Sequence, residues 1–266
     1  MRFASLGSGS QGNATLVAAE DTLLLIDCGF KTKEVEARLD SLGVSPTEID
    51  AILVTHEHGD HSAGVASLSR RHGLPVYLTH GTAATGRLAG CHQQVLVNAG
   101  ARFDIGSITV NAVPVPHDAR EPVQYRFDSD GLALGVLTDL GSITPYLVQH
   151  FSGCDGLLLE FNHELDLLMQ GPYPVTLKRR VAGDFGHLNN MQAATLLAQL
   201  DTSRLRVLVA GHLSQQNNSS DHAFAALATV ADHHQAEVHM ASQDSGSDWF
   251  SVANEEFSTV SDAVGS

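Results

Sequence analysis

The segment VTHEHGDHSAG, from Val54 to Gly64, concentrates side chains that can bind metal ions. Three histidines, a glutamate and an aspartate occupy positions 56 to 61. Neutral imidazole and carboxylate groups are the ligands that borderline divalent metals such as Zn²⁺ accept. The alternative is a polar surface loop in which the histidines occur by chance. The density of ligand types in so short a segment favours a metal site.

The sequence around this segment predicts where its ligands lie. The apolar run AILVT precedes it and is typical of a buried strand. Because side chains alternate along an extended chain, we expect His56 and His58 on the same side. Gly59 is expected to allow a sharp turn, after which Asp60 and His61 begin a helix. Two pairs of ligands so close together suit two adjacent ions better than one.

Strand-like apolar runs and segments of helical spacing alternate along the chain. TLLLIDCG is typical of a buried strand, and TKEVEARLDSLG has apolar residues at helical spacing. The middle of the chain is rich in strand-like runs, and the later part alternates again. No low-complexity linker interrupts this pattern. We therefore predict one α/β domain over residues 1–252, built from two mixed halves, and a polar tail over residues 253–266.

The composition is that of an ordinary globular protein, with 43% hydrophobic and 17% charged residues among 266. The net charge of −15 argues against a broad nucleic-acid-coating surface, although a local basic groove stays open. No apolar run approaches the roughly 20 residues of a membrane span, and no signal peptide is apparent. Cys28, Cys91 and Cys154 are odd in number and widely spaced, which argues against a disulfide framework. We therefore expect the cytoplasm as its location.

The pattern H-x-H-x-D-H after an apolar strand resembles the signature of the metallo-β-lactamase fold. This resemblance implies a four-layer αββα sandwich, in which two mixed β-sheets are flanked by helices. It also implies further ligands where later strands end. His117, Asp139 and His212 end the runs VPVPH, GVLTD and VLVAGH in that order. Asp27, which ends LLLID, matches an aspartate that orients the metal loop without binding metal.

The resemblance implies a pair of divalent ions held by seven side chains. One ion would be bound by His56, His58 and His117, the other by Asp60, His61 and His212, and Asp139 would bridge them. Zinc is the expected metal, while manganese or iron fit the same ligand types. The di-iron oxidoreductases of this fold usually place a glutamate where this chain has His58. That difference counts against redox chemistry.

Two further residues match a proton-donating pair in the phosphodiesterase branch of the fold, which includes tRNA 3′-processing nucleases. Glu160 ends the run GLLLE, and His187 precedes a helix in GDFGHLNN. The resemblance implies that Glu160 orients His187 and keeps it protonated, so that it protonates the leaving group. Asp60 is predicted to be a catalytic residue together with Glu160 and His187. The alternative for the pair is a surface carboxylate and a histidine near a helix start.

Three further segments could either contribute to the site or have only a structural role. Lys178, Arg179 and Arg180 either steer a phosphate backbone into the site or form a solvated face. Asn189 can cap the helix that follows it, whose first backbone N–H groups are available to bind an anion of the substrate. The Gly/Ser/Asn turn from Ser8 to Asn13 either faces the mouth of the site or is a simple hairpin turn.

Separate segments such as FASLGSGSQGNATLV, VPHDA, GPYPVTLKRR and AGHLSQQNN resemble the YycJ/WalJ-type metallohydrolases of bacteria. That group is linked to 5′-to-3′ exonuclease activity on DNA. The resemblance thus implies a phosphodiesterase or nuclease that uses a metal-bridging hydroxide, with nucleic acid or another phosphodiester as substrate. A thioesterase or lactonase of the fold is the alternative, since it uses the same ligands without the Glu160–His187 pair. A non-catalytic partner protein is a third hypothesis, although such proteins usually lose ligands.

Overall fold

A computed structural model describes residues 1–253, so the predicted polar tail lies outside the described residues except for Ala253. The strands of the described chain are β1 Arg2–Gly7, β2 Ala14–Ala19, β3 Thr22–Ile26, β4 Ala51–Leu53, β5 Pro75–Thr79, β6 Gln93–Val97, β7 Arg102–Ile105, β8 Ile108–Pro114, β9 Val123–Ser129, β10 Leu132–Leu137, β11 Gly156–Glu160, β12 Val207–Gly211, β13 Glu237–Met240 and β14 Phe250–Ser251.

Helices connect many of these strands. Those of the described chain are α1 Thr32–Ser41, α2 Gly59–Ser62, α3 Val65–His72, α4 His80–Ala84, α5 Pro145–Phe151, α6 Leu165–Gln170, α7 Val175–Val181, α8 Asn190–Gln199 and α9 Ser220–Ala228. Short 3₁₀ turns lie at Pro46–Glu48 and Ala231–His233. Within residues 1–253, no helix has both the length and the apolar composition that crossing a membrane requires.

The strands form two seven-stranded sheets. The first has the order β14-β1-β2-β3-β4-β5-β6, and the second has the order β13-β12-β11-β10-β9-β8-β7. Neighbours from β14 to β3 are antiparallel, and those from β3 to β6 are parallel. In the second sheet, β13 to β10 are parallel and β10 to β7 are antiparallel. Both sheets are therefore mixed, as predicted.

Three apolar clusters separate four layers. The cluster between the sheets contains side chains from both, such as Leu24 and Tyr125. A second cluster packs α1 and α3 onto the first sheet through residues such as Leu39. A third packs α5, α8 and α9 onto the second sheet, with Phe151 and Leu196 fully buried. This αββα arrangement confirms the predicted fold class, and it fixes the strand ends that carry the candidate site.

Candidate metal centre

Parallel strands from both sheets end at one edge of the sandwich, where polar side chains meet. Asp27 directly follows β3, and the HEHGDH segment follows β4. On the second sheet, Asp139 follows β10, Glu160 is the last residue of β11, and His212 directly follows β12. In open α/β sheets, binding sites lie outside the carboxyl ends of the strands. The strand order thus places these five segments at one site.

The HEHGDH segment passes from an extended chain into the short helix α2. His58 is the N-cap, with φ −60° and ψ 150°, and Asp60 and His61 lie within the helix. The chain turns into α2 at Gly59, but this position does not require glycine. Its φ is not in the left-handed region, and a Cβ atom there would meet open space. The glycine that the loop requires is Gly29, since a Cβ atom on it would lie 1.8 Å from the carbonyl oxygen of Asp60.

All seven predicted ligands lie in groups whose donor atoms are within 4.8 Å of one another. These groups are His56 with His58 and His117, His56 with His61 and Asp139, Asp60 with His61 and His212, and Asp139 with Glu160, His187 and His212. Shared members connect the groups into one continuous cluster. The structure therefore brings together residues that are far apart in the sequence.

Burial of this cluster leaves polar atoms that need a partner. His56 is fully buried, and its Nε2 atom has no hydrogen-bond partner among the described residues. Nε2 of His61 lies 2.9 Å from Oδ2 of Asp139, and Nε2 of His117 lies 3.2 Å from Nδ1 of His58. A buried polar atom without a partner costs free energy. Bound divalent cations would provide that partner, so the donor set fits metal ions.

The charges of the cluster depend on burial and on neighbouring groups. Burial lowers the pKa of His56 well below its usual value, and it also lowers the pKa of His117. Burial acts in the same direction on His61 and His212, but nearby carboxylates, chiefly Asp139, outweigh it and raise their pKa values well above the usual range. Burial acts to raise the pKa of Asp139, yet the surrounding imidazoles hold it well below its usual value. The cluster therefore contains an ionised carboxylate among imidazoles.

Asp27 holds the candidate ligands from behind. Its carboxylate accepts hydrogen bonds from the backbone N–H of Thr55 at 2.8 Å and from the Thr55 hydroxyl at 2.7 Å, and it lies 2.7 Å from Nδ1 of His61. The Thr55 hydroxyl also lies 2.9 Å from Nδ1 of His56. These contacts fix the orientation of both rings, and the Nε2 of each remains directed towards the cluster. Groups that orient ligands in this way tune metal affinity.

Glu160 and His187 meet beside the cluster. Nδ1 of His187 lies 2.8 Å from Oε1 of Glu160. The other carboxylate oxygen accepts the backbone N–H groups of Leu140 at 2.8 Å and Leu188 at 3.2 Å. Burial acts to raise the pKa of Glu160, but the neighbouring imidazoles of His187 and His212 hold it below its usual value. Glu160 is fully buried, so it is not the surface carboxylate of the alternative interpretation.

The predicted substrate-binding residues differ in their surroundings. A cavity of about 430 Å³ opens beside the cluster, and of these four residues Arg180 lines it. The Arg180 side chain donates to the carboxylate of Asp118. The ammonium of Lys178 donates instead to the carbonyl of Met169 at 2.7 Å, and Arg179 is exposed. Asn189 caps α8 through its side chain, which accepts from Gln192 N–H at 2.8 Å.

The turn between β1 and β2 contacts the site. The sequence alone left open whether this turn faces the site or is a simple hairpin turn. Ser10 lines the cavity, and the side-chain amide nitrogen of Asn13 lies 3.0 Å from Nε2 of His61. The hydroxyl of Ser8 accepts the backbone N–H of His212 at 2.8 Å. The turn therefore supports candidate ligands from both sheets.

Sequence reasoning missed several residues that line the cavity, among them Arg87, Asp118, Asn162, Tyr173 and Ser214. Asp118 directly follows His117 in VPHDA, and Tyr173 lies in GPYPVTLKRR, so both were within segments that had been noticed. Arg87 belongs to no motif. It reaches the site because the connection between β5 and β6 returns beside the HEHGDH segment.

The two-sheet sandwich and the buried histidine–carboxylate cluster at its strand ends define a metal-dependent hydrolase. The chain belongs to the beta-lactamase superfamily, whose domain model matches residues 22–212. The family expected from the sequence is thereby confirmed.

Relatives and a solved structure agree with this assignment. The chain is 34% identical over 225 residues to the exodeoxyribonuclease YycJ of Bacillus anthracis, a match that covers 83% of this chain and 85% of that protein. It is 33% identical over 223 residues to the exodeoxyribonuclease WalJ of Streptococcus pneumoniae serotype 2, with 82% and 83% covered. The metallo-beta-lactamase fold protein YhfI from Bacillus subtilis has a TM-score of 0.72 at 16% identity, covering 94% of this chain and 99% of that one, which shows the shared fold.

Proposed function

We propose that the protein is a dinuclear metal-dependent phosphodiesterase that acts on nucleic acid, with 5′-to-3′ exonuclease action on DNA. The observation that carries this proposal is the Glu160–His187 contact beside the metal-ligand cluster. Hydrolysis of a phosphodiester expels an alkoxide, which needs a proton, and this pair can deliver one. The two relatives named exodeoxyribonuclease support DNA as the substrate.

The proposed ligands divide into two sets, as the family resemblance implies. His56, His58 and His117 would hold one divalent ion, Asp60, His61 and His212 the other, and Asp139 would lie between them. Zinc fits these nitrogen and oxygen donors best, and manganese and iron accept the same donors. When bound, two such ions supply Lewis acidity, which brings the pKa of coordinated water towards neutrality and offsets charge on a phosphate. Asp60 is a partly exposed proposed ligand that also lines the cavity, so it would face the reacting phosphate.

His187 is the proposed proton donor. Its Nδ1 is directed to the Glu160 carboxylate, and the ring lines the cavity, so Nε2 is the atom available to a leaving oxygen. Glu160 is buried and held by two backbone N–H groups, so it fixes the ring without competing for the substrate. A carboxylate behind an imidazole also stabilises the ring when it carries a positive charge. Asp139 and His212 follow β10 and β12, the two strands that flank the one ending at Glu160.

Cleavage assays test the proposal directly. Purified protein, stripped with a chelator and reloaded with zinc or manganese, is incubated with bis-p-nitrophenyl phosphate and with end-labelled DNA and RNA oligonucleotides. We expect cleavage of the diester and of DNA ends, and loss of both in His58→Ala and in Asp139→Ala. Arg102→Ala, at an exposed position outside the cavity, serves as the matched control and should stay active. Hydrolysis of thioesters or lactones by metal-loaded protein that cleaves no phosphodiester would contradict the proposal.

A further inference from the structure

We propose, on the basis of the phosphodiesterase function above, that Arg87 and Tyr173 form a subsite for the nucleotide next to the scissile phosphate. Arg87 would bind that nucleotide's phosphate, and the ring of Tyr173 would stack on its base. Both residues line the same cavity as Asp60 and His187. Its volume of about 430 Å³ is at the small end of the range for ligand pockets, roughly 300–1,000 Å³. A group bound at the metals would therefore be close to both side chains.

Arg87 offers a positive charge at the cavity. It is exposed, and one of its terminal N–H groups donates to the carbonyl of Glu57 at 3.3 Å. Among the arginine ion pairs of the described chain, none includes Arg87. Arg180, the other arginine at the cavity, is paired with Asp118. Since a guanidinium has five N–H donors in a planar fork, Arg87 retains donors for a phosphate.

The placement of Arg87 suits a phosphate beside the reacting one. Its contact with Glu57 ties it to the segment that carries His56 and His58. The floor of the cavity includes the carboxylates of Asp60 and Asp139, whose charge bound cations would offset. Arg87 makes no ion pair among the described residues, whereas the other arginine that lines the cavity is paired. When one phosphate of a polynucleotide is bound at the metals, the neighbouring phosphate is the anion that Arg87 would bind.

Tyr173 presents an aromatic ring from the opposite connection, between α6 and α7. Of the described residues that line the cavity, it is the one with a phenyl ring. Pro172 and Pro174 flank it, and Pro174 is the N-cap of α7, with φ −56°. Proline fixes its own backbone φ, so the backbone on both sides of Tyr173 has little conformational freedom to lose on binding. Bases stack on such rings irrespective of their sequence.

The test compares variants of the metal-loaded protein on single-stranded DNA. For Arg87→Ala, we expect KM to rise roughly 10- to 100-fold and the slope of log KM against log salt to fall by about 0.7, the value for one lost phosphate contact. For Tyr173→Ala, we expect KM to rise roughly 5- to 150-fold and the preference for a normal over an abasic terminal nucleotide to disappear. Tyr173→Phe keeps the ring and should keep that preference.

Matched controls and a binding measurement make the result decisive. Arg102→Ala and Tyr146→Ala remove exposed residues of the same types that do not line the cavity, and both should behave as the wild type. The KM effects of Arg87→Ala and Tyr173→Ala should be larger on DNA than on methyl p-nitrophenyl phosphate, because that substrate has no second phosphate or base. Equal KM values on DNA for Arg87→Ala and Arg102→Ala, in a protein that cleaves DNA, would overturn the subsite alone. Fluorescence anisotropy with phosphorothioate-linked DNA measures binding at the subsite independently of cleavage. If no variant and no wild-type protein cleaves a phosphodiester, the proposed function is contradicted, whether or not the subsite binds DNA.

Discussion

Oε1 of Glu160 lies 2.8 Å from Nδ1 of His187 and 3.3 Å from Nδ1 of His212. One carboxylate oxygen thus joins the proposed proton donor to a proposed metal ligand. The other oxygen is occupied by two backbone N–H groups, so the carboxylate cannot rotate without losing buried hydrogen bonds. Proton transfer and metal binding are therefore expected to depend on the same side chain.

His187→Ala should slow substrates in proportion to how much their leaving group needs a proton. A sugar alkoxide needs one and p-nitrophenolate does not. We expect kcat to fall by about 10²- to 10⁴-fold on DNA, the usual contribution of a general acid, and far less on bis-p-nitrophenyl phosphate. Steady-state kinetics on the two substrates measure the difference. Equal losses on both would assign His187 a different role.

Asp27→Asn should weaken metal binding while the fold is kept. Asp27 has φ 58°, a conformation that asparagine tolerates, but the amide loses the charge and one acceptor towards Thr55 and His61. We expect metal affinity to fall roughly 10- to 100-fold, as for other groups that orient ligands. Competition with a chromophoric chelator measures it. Asp130→Asn, at an exposed turn with φ 48°, is the matched control and should bind metal normally.

Two glycines near the cluster should respond oppositely to alanine. A Cβ atom on Gly29 would overlap the carbonyl of Asp60, so Gly29→Ala must displace the HEHGDH segment. A Cβ atom on Gly59 would meet nothing within 4 Å. We expect Gly29→Ala to lose metal and thermal stability, and Gly59→Ala to keep both. Metal content and melting temperature decide, and a stable, metal-replete Gly29→Ala protein would show that the contact is not needed.

The buried cysteines give a pH-dependent prediction away from the metal ligands. Burial raises the pKa of the Cys154 thiol from 9.0 to about 12, and burial together with Asp27 does the same for Cys28. Because the thiol pKa is higher in the folded state, the neutral thiol contributes to the free energy of unfolding. That contribution is complete below pH 9 and is lost as the pH rises towards 12. At pH 8, a thiol reagent should therefore modify half-buried Cys91 alone in the native protein. All three should react in denaturant, and rapid native labelling of Cys154 would contradict its burial.

Apolar runs and ligand spacing were sufficient to predict the strands that carry the site. Long periodic segments such as α1, α8 and α9 have enough positions to show an amphipathic pattern. The helices α4 to α7 span five to seven residues each, too few to reveal helical spacing. Their positions are set by packing on the sheets and around the cavity, which depends on tertiary contacts.

The candidate metal ligands, like the longer helices and strands, could be predicted from the sequence. The candidate histidine and aspartate ligands lie at strand ends, where sequence patterns are clear, and the structure brings them together. The helix predicted to begin at Asp60 and His61 is divided into α2 and α3. Gly64 lies between them, and a Cβ atom on it would lie 2.0 Å from the carbonyl oxygen of Phe30. Arg87 and Tyr173 could not be assigned from the sequence, because only the folded connections bring them to the cavity.

Seven side chains are proposed to hold two cations at one site. Equilibrium dialysis of chelator-treated protein against zinc, followed by elemental analysis, counts the bound ions. We expect two ions per chain in the wild type, and loss of high-affinity binding at both positions in Asp139→Ala, since that carboxylate would contact both ions. Fewer than one ion per wild-type chain, or full retention of two in Asp139→Ala, would contradict the proposal.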